Sequence, residues 1–197
     1  MEKVLIGAGG AAREIMAHMK NMDMKCFVDD KYFEENSKNI YPISSFNSKT
    51  MCTLIAVGDS NDRKLLFGKL PADTQFFSFI HESAQIMDKN VILGQGVFIS
   101  ANCVITTNIK IGSHSYINRG AMIGHDCNIG KFFTMMPSSV LSGSCSVGDN
   151  VLIGANASIR ENVTISSNVV VGMQSAVLNN IVEEGTYVGV PAKLLSY

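Results

Sequence analysis

Residues 91–124 have the sequence VILGQGVFISANCVITTNIKIGSHSYINRGAMIG. They open a longer stretch in which every sixth residue is large and apolar, with no insertion. A period of six fits neither a helix nor a simple strand alternation, and it indicates short strands joined by tight corners, each sending one large side chain to a common axis. The repeat therefore predicts a coil of stacked parallel strands. Its fifteen positions are Leu93, Ile99, Ile105, Ile111, Ile117, Ile123, Ile129, Met135, Leu141, Val147, Ile153, Ile159, Ile165, Val171 and Val177.

The other positions of the hexad agree with this prediction. The residue two places before each large one is small or apolar, and residues at i−2 and i share one face of a strand. Because three hexads close one triangular turn, residues eighteen apart should stack on one edge of the coil. Glycine follows the large residue at seven corners, where we expect a backbone conformation that glycine adopts without a Cβ clash. These glycines are Gly94, Gly112, Gly124, Gly130, Gly148, Gly154 and Gly172.

The first part of the chain has a different pattern. Buried-strand runs at residues 3–8, 25–28, 53–57 and 76–80 alternate with helix-forming segments at 11–22 and 61–69. This order predicts a small, Rossmann-like parallel sheet, with ligands expected beyond the carboxyl ends of its strands. The fold class is therefore α/β followed by a parallel β-helix. We expect two domains, a Rossmann-like domain at residues 1–82 and a β-helix at residues 83–197.

Two short motifs follow predicted strands of the first domain. Gly7, Gly9 and Gly10 could let backbone N–H groups approach a phosphate at a helix N-terminus, although the dinucleotide pattern G-x-G-x-x-G is not completed. A mononucleotide or a nucleotide-linked sugar fits the short domain better. The alternative is a tight turn without a ligand. Asp29 and Asp30 could accept hydrogen bonds from a ribose or a base, or could form a solvated strand end.

Composition and charge argue against two classes of protein, those that bind nucleic acid and those that span a membrane. The formal net charge is −1 and no block of Lys or Arg stands out, which argues against nucleic-acid binding. No apolar run approaches the ~20 residues that span a bilayer, and the N-terminus lacks the pattern of a secretory signal, so we expect a cytoplasmic protein. The five cysteines suit a reducing compartment. Cys127 and Cys145 should stack in adjacent turns, as thiols or as a disulfide.

His125 is the main catalytic candidate. It lies two residues after Ile123, on a corner where side chains point outward, and Gly143 should lie beside its imidazole in the next turn. Asp126 follows directly, and a carboxylate next to an imidazole can fix its tautomer and raise its basicity. We predict a general base with an orienting acid. The alternative is a histidine on a surface corner.

The remaining histidines are assigned to other roles. We expect His114 to lie on the surface of a turn, and His18 and His81 to be packing or surface residues. No Ser-His-Asp or Cys-His set can be assembled from spacing, so a covalent acyl-enzyme has no support. A metal-dependent hydratase of the γ-carbonic-anhydrase type would need about three convergent histidines, and the coil offers only His114 and His125.

The hexad run, the glycine-rich first turn and the closing segment VGVPAK at residues 188–193 together resemble the PglD/NeuD group of bacterial sugar acyltransferases over essentially the full chain. The resemblance implies a left-handed coil, a homotrimer, and acetyl-CoA bound between neighbouring coils, with no metal. The catalytic histidine of that group stands in an H-[ED]-C corner, which matches residues 125–127 here. Many members carry His directly after the glycine loop, where this chain has Ala11.

The resemblance also implies residue roles. Asn118 would contact the substrate near the active corner, and the pantetheine arm would follow Gly143 and the Gly154–Ala155 corner. The adenine end would lie near Pro191 and Lys193. The nucleotide sugar would be held by Gly7, Gly9, Gly10, Asp29 and Asp30.

We therefore expect an acetyl-CoA-dependent N-acetyltransferase that acts on a nucleotide-linked amino sugar, a 4-amino-4,6-dideoxy sugar in particular, for surface-glycan synthesis. Backbone N–H groups near Gly143 would stabilise the developing oxyanion. The nearest alternative is O-acetylation of a sialic acid or another hydroxyl acceptor. The metal-dependent hydratase and a non-catalytic nucleotide-sugar sensor are further alternatives; the presence of His125 argues against the sensor.

Overall fold

A computed structural model describes residues 1–195, which fall into two compact units. The first is Met1–Ser78, and the second begins at Phe79. The predicted strand at residues 76–80 is wrong as a single element, because it is divided between the units. Gln75–Phe76 pairs within the first sheet, whereas Phe79–Ile80 pairs with Phe98–Ile99 of the coil. The coil therefore begins at Phe79.

The first unit is a parallel sheet of five strands with two helices. Its sheet order, β3-β2-β1-β4-β5, reverses direction between β1 and β4, which creates a crevice at the carboxyl ends of the strands. The first helix is shorter than predicted, because Lys20 adopts a left-handed conformation with φ of 54° that ends it. The elements are β1 (Glu2–Ile6), α1 (Gly10–His18), β2 (Cys26–Val28), β3 (Ile40–Pro42), β4 (Met51–Ile55), α2 (Ser60–Gly68) and β5 (Gln75–Phe76).

The core of the first unit lies under the central strands. Val4, Leu5 and Ile6 of β1 are fully buried, as a strand covered on both faces requires. Phe27 packs edge-on against Phe46, with ring centroids 5.6 Å apart. In the described part of the chain, residues 1–195, no helix has both the length and the apolar character that a membrane crossing needs.

The second unit is a parallel β-helix with three faces. Between Ile92 and Val177 strands pair at an offset of eighteen residues, as Ile99 with Ile117, Ile117 with Met135 and Met135 with Ile153. The offset is nineteen at the start of the coil, where Ile80 pairs with Ile99, and sixteen at its end, where Val171 pairs with Tyr187. The first face holds β6 (Phe79–Ile80), β9 (Phe98–Ile99), β12 (Tyr116–Ile117), β15 (Thr134–Met135), β18 (Leu152–Ile153), β21 (Val169–Val171), β23 (Gly185–Val188) and β24 (Lys193–Leu194). The second holds β7 (Gln85–Ile86), β10 (Val104–Ile105), β13 (Met122–Ile123), β16 (Val140–Leu141), β19 (Ser158–Ile159) and β22 (Ala176–Val177). The third holds β8 (Ile92–Leu93), β11 (Lys110–Ile111), β14 (Asn128–Ile129), β17 (Ser146–Val147) and β20 (Thr164–Ile165).

Three columns of corners connect these faces, and each is named after the face that precedes it. The first corner column includes Asn118 and Gly154, the second His125 and Gly143, and the third His114. The large residues of the hexad fill the axis, and from Ile99 to Val177 each is at most 5% exposed. The pattern of buried side chains predicted from the repeat is confirmed.

The explanation offered for the corner glycines is wrong. Gly112 does not have a positive φ; a Cβ there would instead lie 2.4 Å from the carbonyl oxygen of Gly130 in the next coil. Glycine is required by close approach between coils. The left-handed conformation occurs three residues after the large residue of the hexad. Six of the twelve non-glycine residues that adopt it in the described coil are asparagines, such as Asn108 and Asn156, with φ of 53° and 55°. Asparagine tolerates this region better than other residues with a Cβ.

The cysteines are free thiols. Cys127 and Cys145 are buried in adjacent coils, and each Sγ donates to a backbone carbonyl, of Ser142 and of Arg160, at 3.3 Å. Burial raises the pKa of Cys103 to about 11. The disulfide alternative does not apply to this structure.

We predict that Ile153→Ala destabilises the coil by about 2–5 kcal/mol, because Ile153 is fully buried and truncation leaves a cavity on the axis. The matched control is Ile92→Ala, on the third face, where the side chain is 58% exposed. Urea unfolding of both variants measures the difference. Equal midpoints for the two variants would contradict an axis that is packed along its length.

Candidate active site

His125 lies on the second corner column, directly after β13. Its Nδ1 is 2.7 Å from Oδ2 of Asp126. A carboxylate only accepts hydrogen bonds, so Nδ1 carries the proton and donates, which leaves the lone pair on Nε2. The His125 side chain is 61% exposed. The corner therefore presents a basic nitrogen to the outside of the coil, in the arrangement that a general base needs.

Asp126 is held on both of its oxygens. Its backbone is left-handed, with φ of 61°, and Oδ1 accepts a hydrogen bond of 2.6 Å from Nδ2 of Asn108. The bond from Asn108, and after it the bond from His125, lowers the pKa of Asp126. The carboxylate is therefore ionised near neutral pH and can accept both bonds. Asn108 was not among the predicted residues, although its spacing of eighteen from Asp126 was a signal that could have found it.

Gly143 lies against the imidazole, as the stacking of residues eighteen apart predicts. A Cβ at this position would be 2.7 Å from both Cε1 and Nε2 of His125. Within residues 1–195, the N–H of Gly143 donates to no protein acceptor. The backbone beside the imidazole therefore carries no side chain, and the N–H of Gly143 is available to a ligand near the ring.

Asn118 and the Gly154–Ala155 segment lie on the first corner column, away from His125. Asn118 is only 7% exposed, and its Oδ1 accepts the N–H of Arg119 at 2.8 Å. At Gly154 a Cβ would be 2.5 Å from the nitrogen of Met173, so this corner also requires glycine. One chain does not bring these residues to the imidazole, because β13 on the second face separates the two columns.

Pro191 and Lys193 lie in the hairpin that closes the coil. Lys193 belongs to β24, which pairs antiparallel with β23. The turn between them is fixed to the second face, where the N–H of Ala192 donates to the carbonyl of Ala176 at 2.8 Å. Pro191 and Lys193 are therefore at the C-terminal end of the coil, beside its last turn.

A cavity of about 440 Å³ lies at the carboxyl ends of β1, β2 and β4. Gly7, Gly9, Gly10 and Asp29 line it together, as the sequence predicted. Gly7 has a φ of 107°, and a Cβ there would meet the carbonyl oxygen of Ala56 at 2.9 Å. Sequence reasoning missed the opposite wall, which comes mainly from α2. Its members include Asp62, Leu65, Leu66 and Lys69.

The polar groups of this cavity are the N–H groups at the start of α1, which could bind an anion, and the carboxylate of Asp29, which could accept a hydrogen bond from a hydroxyl. No described side chain caps the N-terminus of α1 at Gly9, whereas Asp59 caps α2 by accepting the N–H groups of Asn61 and Asp62. Lys69 is 2.6 Å from Oδ2 of Asp29, and this contact lowers the pKa of Asp29. Asp30 does not line the cavity; its carboxylate accepts the N–H of Ser44 at 3.1 Å.

The other histidines have separate environments. The prediction that His114 lies on the surface is wrong: it is 2% exposed and stacks on Phe132 of the next coil at 5.2 Å. Its left-handed backbone, with φ of 60°, places the ring along the third corner column. His18 lies 4.0 Å from Glu14 on α1, and His81 contacts Ser83. Within residues 1–195, no three His, Cys, Asp or Glu side chains converge as metal ligands would.

Comparisons with known proteins agree with this architecture. The profile of the bacterial transferase hexapeptide family (six repeats) matches residues 144–179, and that of the GMPPB C-terminal domain matches residues 78–155. A search of curated proteins found no significant match.

Solved structures match over the whole chain. PerB from Caulobacter crescentus, in complex with CoA and GDP-perosamine, is 27% identical with a TM-score of 0.88, covering 100% of this chain and 98% of that one. WeeI from Acinetobacter baumannii AYE is 26% identical with a TM-score of 0.86, covering 99% and 100%. The acetyltransferase domain of PglB from Neisseria gonorrhoeae FA1090 is 20% identical with a TM-score of 0.69, covering 98% and 99%, and shares the fold.

The predicted fold, a Rossmann-like sheet followed by a left-handed parallel β-helix of hexapeptide repeats, is confirmed. The corner at His125 and Gly143, and the full-length likeness to PerB and WeeI, are consistent with the same kind of protein. Along its whole length the chain is thus similar to sugar N-acetyltransferases of the left-handed β-helix type, and it carries the hexapeptide repeat of bacterial transferases at residues 144–179.

Proposed function

We propose that this protein is an acetyl-CoA-dependent N-acetyltransferase that modifies the amino group of a nucleotide-linked amino sugar. The observation that carries the proposal is the second corner, where the exposed imidazole of His125 lies against the bare backbone of Gly143. The full-length likeness to PerB, solved with CoA and GDP-perosamine, supports the same substrate class. A 4-amino-4,6-dideoxy sugar destined for a surface glycan is the proposed acceptor.

The geometry assigns the chemical steps to named atoms. Acetyl-CoA supplies the activated acetyl group when it is bound. Nε2 of His125 accepts the proton that the attacking amine loses as its nitrogen bonds to the acetyl carbon, and the proton then leaves with the departing sulfur. Asp126 stabilises the imidazolium that forms in between. The N–H of Gly143 is the proposed donor to the carbonyl oxygen as negative charge develops on it.

The cavity of the first unit is the proposed site for the nucleotide. The open N-terminus of α1 offers N–H groups and a positive dipole end to a pyrophosphate. Asp29 stands at the end of β2, where an acidic residue can accept hydrogen bonds from ribose hydroxyls. Lys69 keeps that carboxylate ionised and near the ligand.

A homotrimer is proposed because the site residues occupy two different columns of one coil. Asn118, Gly154 and Ala155 lie on the first corner column, and His125 with Gly143 on the second. Neighbouring coils that pack side by side could place the second column of one protomer opposite the first column of the next, with the coenzyme between them. The cytoplasm is the proposed location, since five free thiols suit a reducing compartment.

O-acetylation remains the alternative reaction, and paired acceptors discriminate between the two. We predict that purified protein transfers acetyl groups to a nucleotide-linked amino sugar at least 100-fold faster than to the matched hydroxy sugar, because an amine is the stronger nucleophile once deprotonated. Release of CoA thiol measures both rates. A faster reaction with the hydroxy sugar would favour the alternative.

We predict that His125→Ala lowers kcat by roughly 10²–10⁴-fold, because the attacking amine loses its proton acceptor. The fold should be unaffected because the His125 side chain lies outside the axis of the coil, and the trimer should persist because Ala adds no bulk between neighbouring coils. Turnover and light-scattering mass are measured on the same samples.

The matched control for this change is His18→Ala, which removes a histidine from α1, outside the cavity and the coil. Its turnover should equal that of the wild-type protein. Near-normal turnover in His125→Ala would remove His125 from the mechanism.

We predict that Gly9→Val weakens binding of a nucleoside diphosphate by about 10-fold or more, a change of about 1.4 kcal/mol. A Cβ at Gly9 meets nothing within 4 Å in the protein, so the new side chain fills the phosphate approach and leaves the fold intact. Thermal shift against diphosphate concentration measures the change. The control is Gly68→Val at the far end of α2, where space is equally open; equal affinities of the two variants would place the phosphates elsewhere.

A further inference from the structure

Asn108 stands one coil before the catalytic corner, in the same column as Asp126. Its Nδ2 donates to Oδ1 of Asp126 at 2.6 Å, while Oδ2 of the same carboxylate lies 2.7 Å from Nδ1 of His125. The three side chains thus form one line of hydrogen bonds that ends at the exposed Nε2. The amide is the only one of the three groups that cannot titrate.

The backbone around Asn108 is held in place on both sides. The N–H of Asp126 donates to the carbonyl of Thr107 at 3.1 Å, which joins the two corners directly. The hydroxyl of Thr107 donates to Asp88 in the preceding coil. Asn108 itself is in the left-handed region, with φ of 53°, the conformation that this position takes throughout the column. The amide is therefore directed at Asp126 by the coil and not by its own rotamer alone.

The carboxylate needs such an anchor. The terminal torsion of an aspartate is broad and roughly two-fold, so a carboxylate held on one oxygen can rotate away from its partner. Asp126 is half exposed, and water competes for its oxygens. A second bond from a fixed donor keeps its plane aligned with the imidazole.

An amide bridge between coils is not by itself a sign of function. On the third corner column, which does not contain His125, Nδ2 of Asn150 donates to Oδ1 of Asn168 at 2.9 Å with the same spacing of eighteen. What distinguishes Asn108 is that its acceptor is the residue that orients His125. A useful experiment must separate stabilisation of the coil from orientation of the base.

We propose that Asn108 is a positioning residue for catalysis: its amide holds one oxygen of Asp126 so that the other fixes the Nδ1–H tautomer of His125. The inference rests on the proposed function, because it assigns a task within the same site. Asn108 does not touch substrate; it acts through Asp126.

The test uses Asn108→Gly, which removes the amide and keeps a residue that adopts positive φ at little cost. The matched control is Asn162→Gly, at the same position of the same column, with φ of 62° and an equally exposed side chain. We expect kcat of Asn108→Gly to fall about 10-fold, with KM within about two-fold of wild type. The control should keep wild-type values for both.

Two readouts exclude a merely structural effect. In the double variant with Asp126→Ala, loss of Asn108 should cause no further decrease in kcat, since its acceptor is already gone. Side-chain ¹⁵N spectra of His125 should show the Nδ1–H tautomer in the wild type and in Asn162→Gly, and a shift towards the Nε2–H tautomer in Asn108→Gly.

Equal kcat in Asn108→Gly and Asn162→Gly, or additive losses in the double variant, would overturn this inference while leaving the catalytic role of His125 intact. Near-normal turnover in His125→Ala would instead remove His125 from the mechanism, and no acetyl transfer by the wild-type protein to any nucleotide-linked amino sugar would overturn the proposed function. The tautomer measurement stands even then, because it reports the hydrogen-bond line without requiring activity.

Discussion

The structure depends on parallel backbone pairing at an offset of eighteen residues, which joins the strands of the coil between Ile92 and Val177. This register fixes which residues stack, and stacking decides everything that the coil can do. It brings Ile, Leu and Val side chains to the axis, where a continuous apolar column excludes water. It also sets the separation of corners, so that residues far apart in sequence, such as Asn108 and Asp126, become hydrogen-bonded neighbours. Stability and catalysis therefore share one geometric origin.

The fold was largely predictable from the sequence because the coil repeats a single unit, and the repeat reveals both its strands and its axis. Spacing alone also placed Gly143 beside His125. His114 was wrongly expected on the surface, because the period does not encode whether a corner side chain points to solvent or lies on the ring eighteen residues later, here Phe132. The role of the corner glycines was misjudged because a glycine in the sequence does not show whether positive φ or close approach between coils requires it.

The two units approach ligand binding differently. In the first, the N-terminus of α1 and the Asp29–Lys69 pair form a polar cavity at the carboxyl ends of the strands. The wall that α2 contributes could not be predicted from motifs, because its residues are ordinary for a helix. In the second, the proposed reactive position on a regular surface consists of one histidine and the glycine that lies against it in the next coil. The division suits an enzyme that recognises the carrier of a sugar in one place and modifies the sugar in another.

The stacking of corners restricts how a gene for such a coil can change in length. Because one hexad spans one face, gaining or losing six residues between Asn108 and Asp126 would keep the apolar axis filled yet rotate every later corner by a third of a turn. The amide and the carboxylate would then face different sides of the prism. Only whole turns of eighteen residues, added or removed elsewhere in the coil, preserve both the column and its chemistry. Descendants of this protein can lengthen in steps, but not gradually.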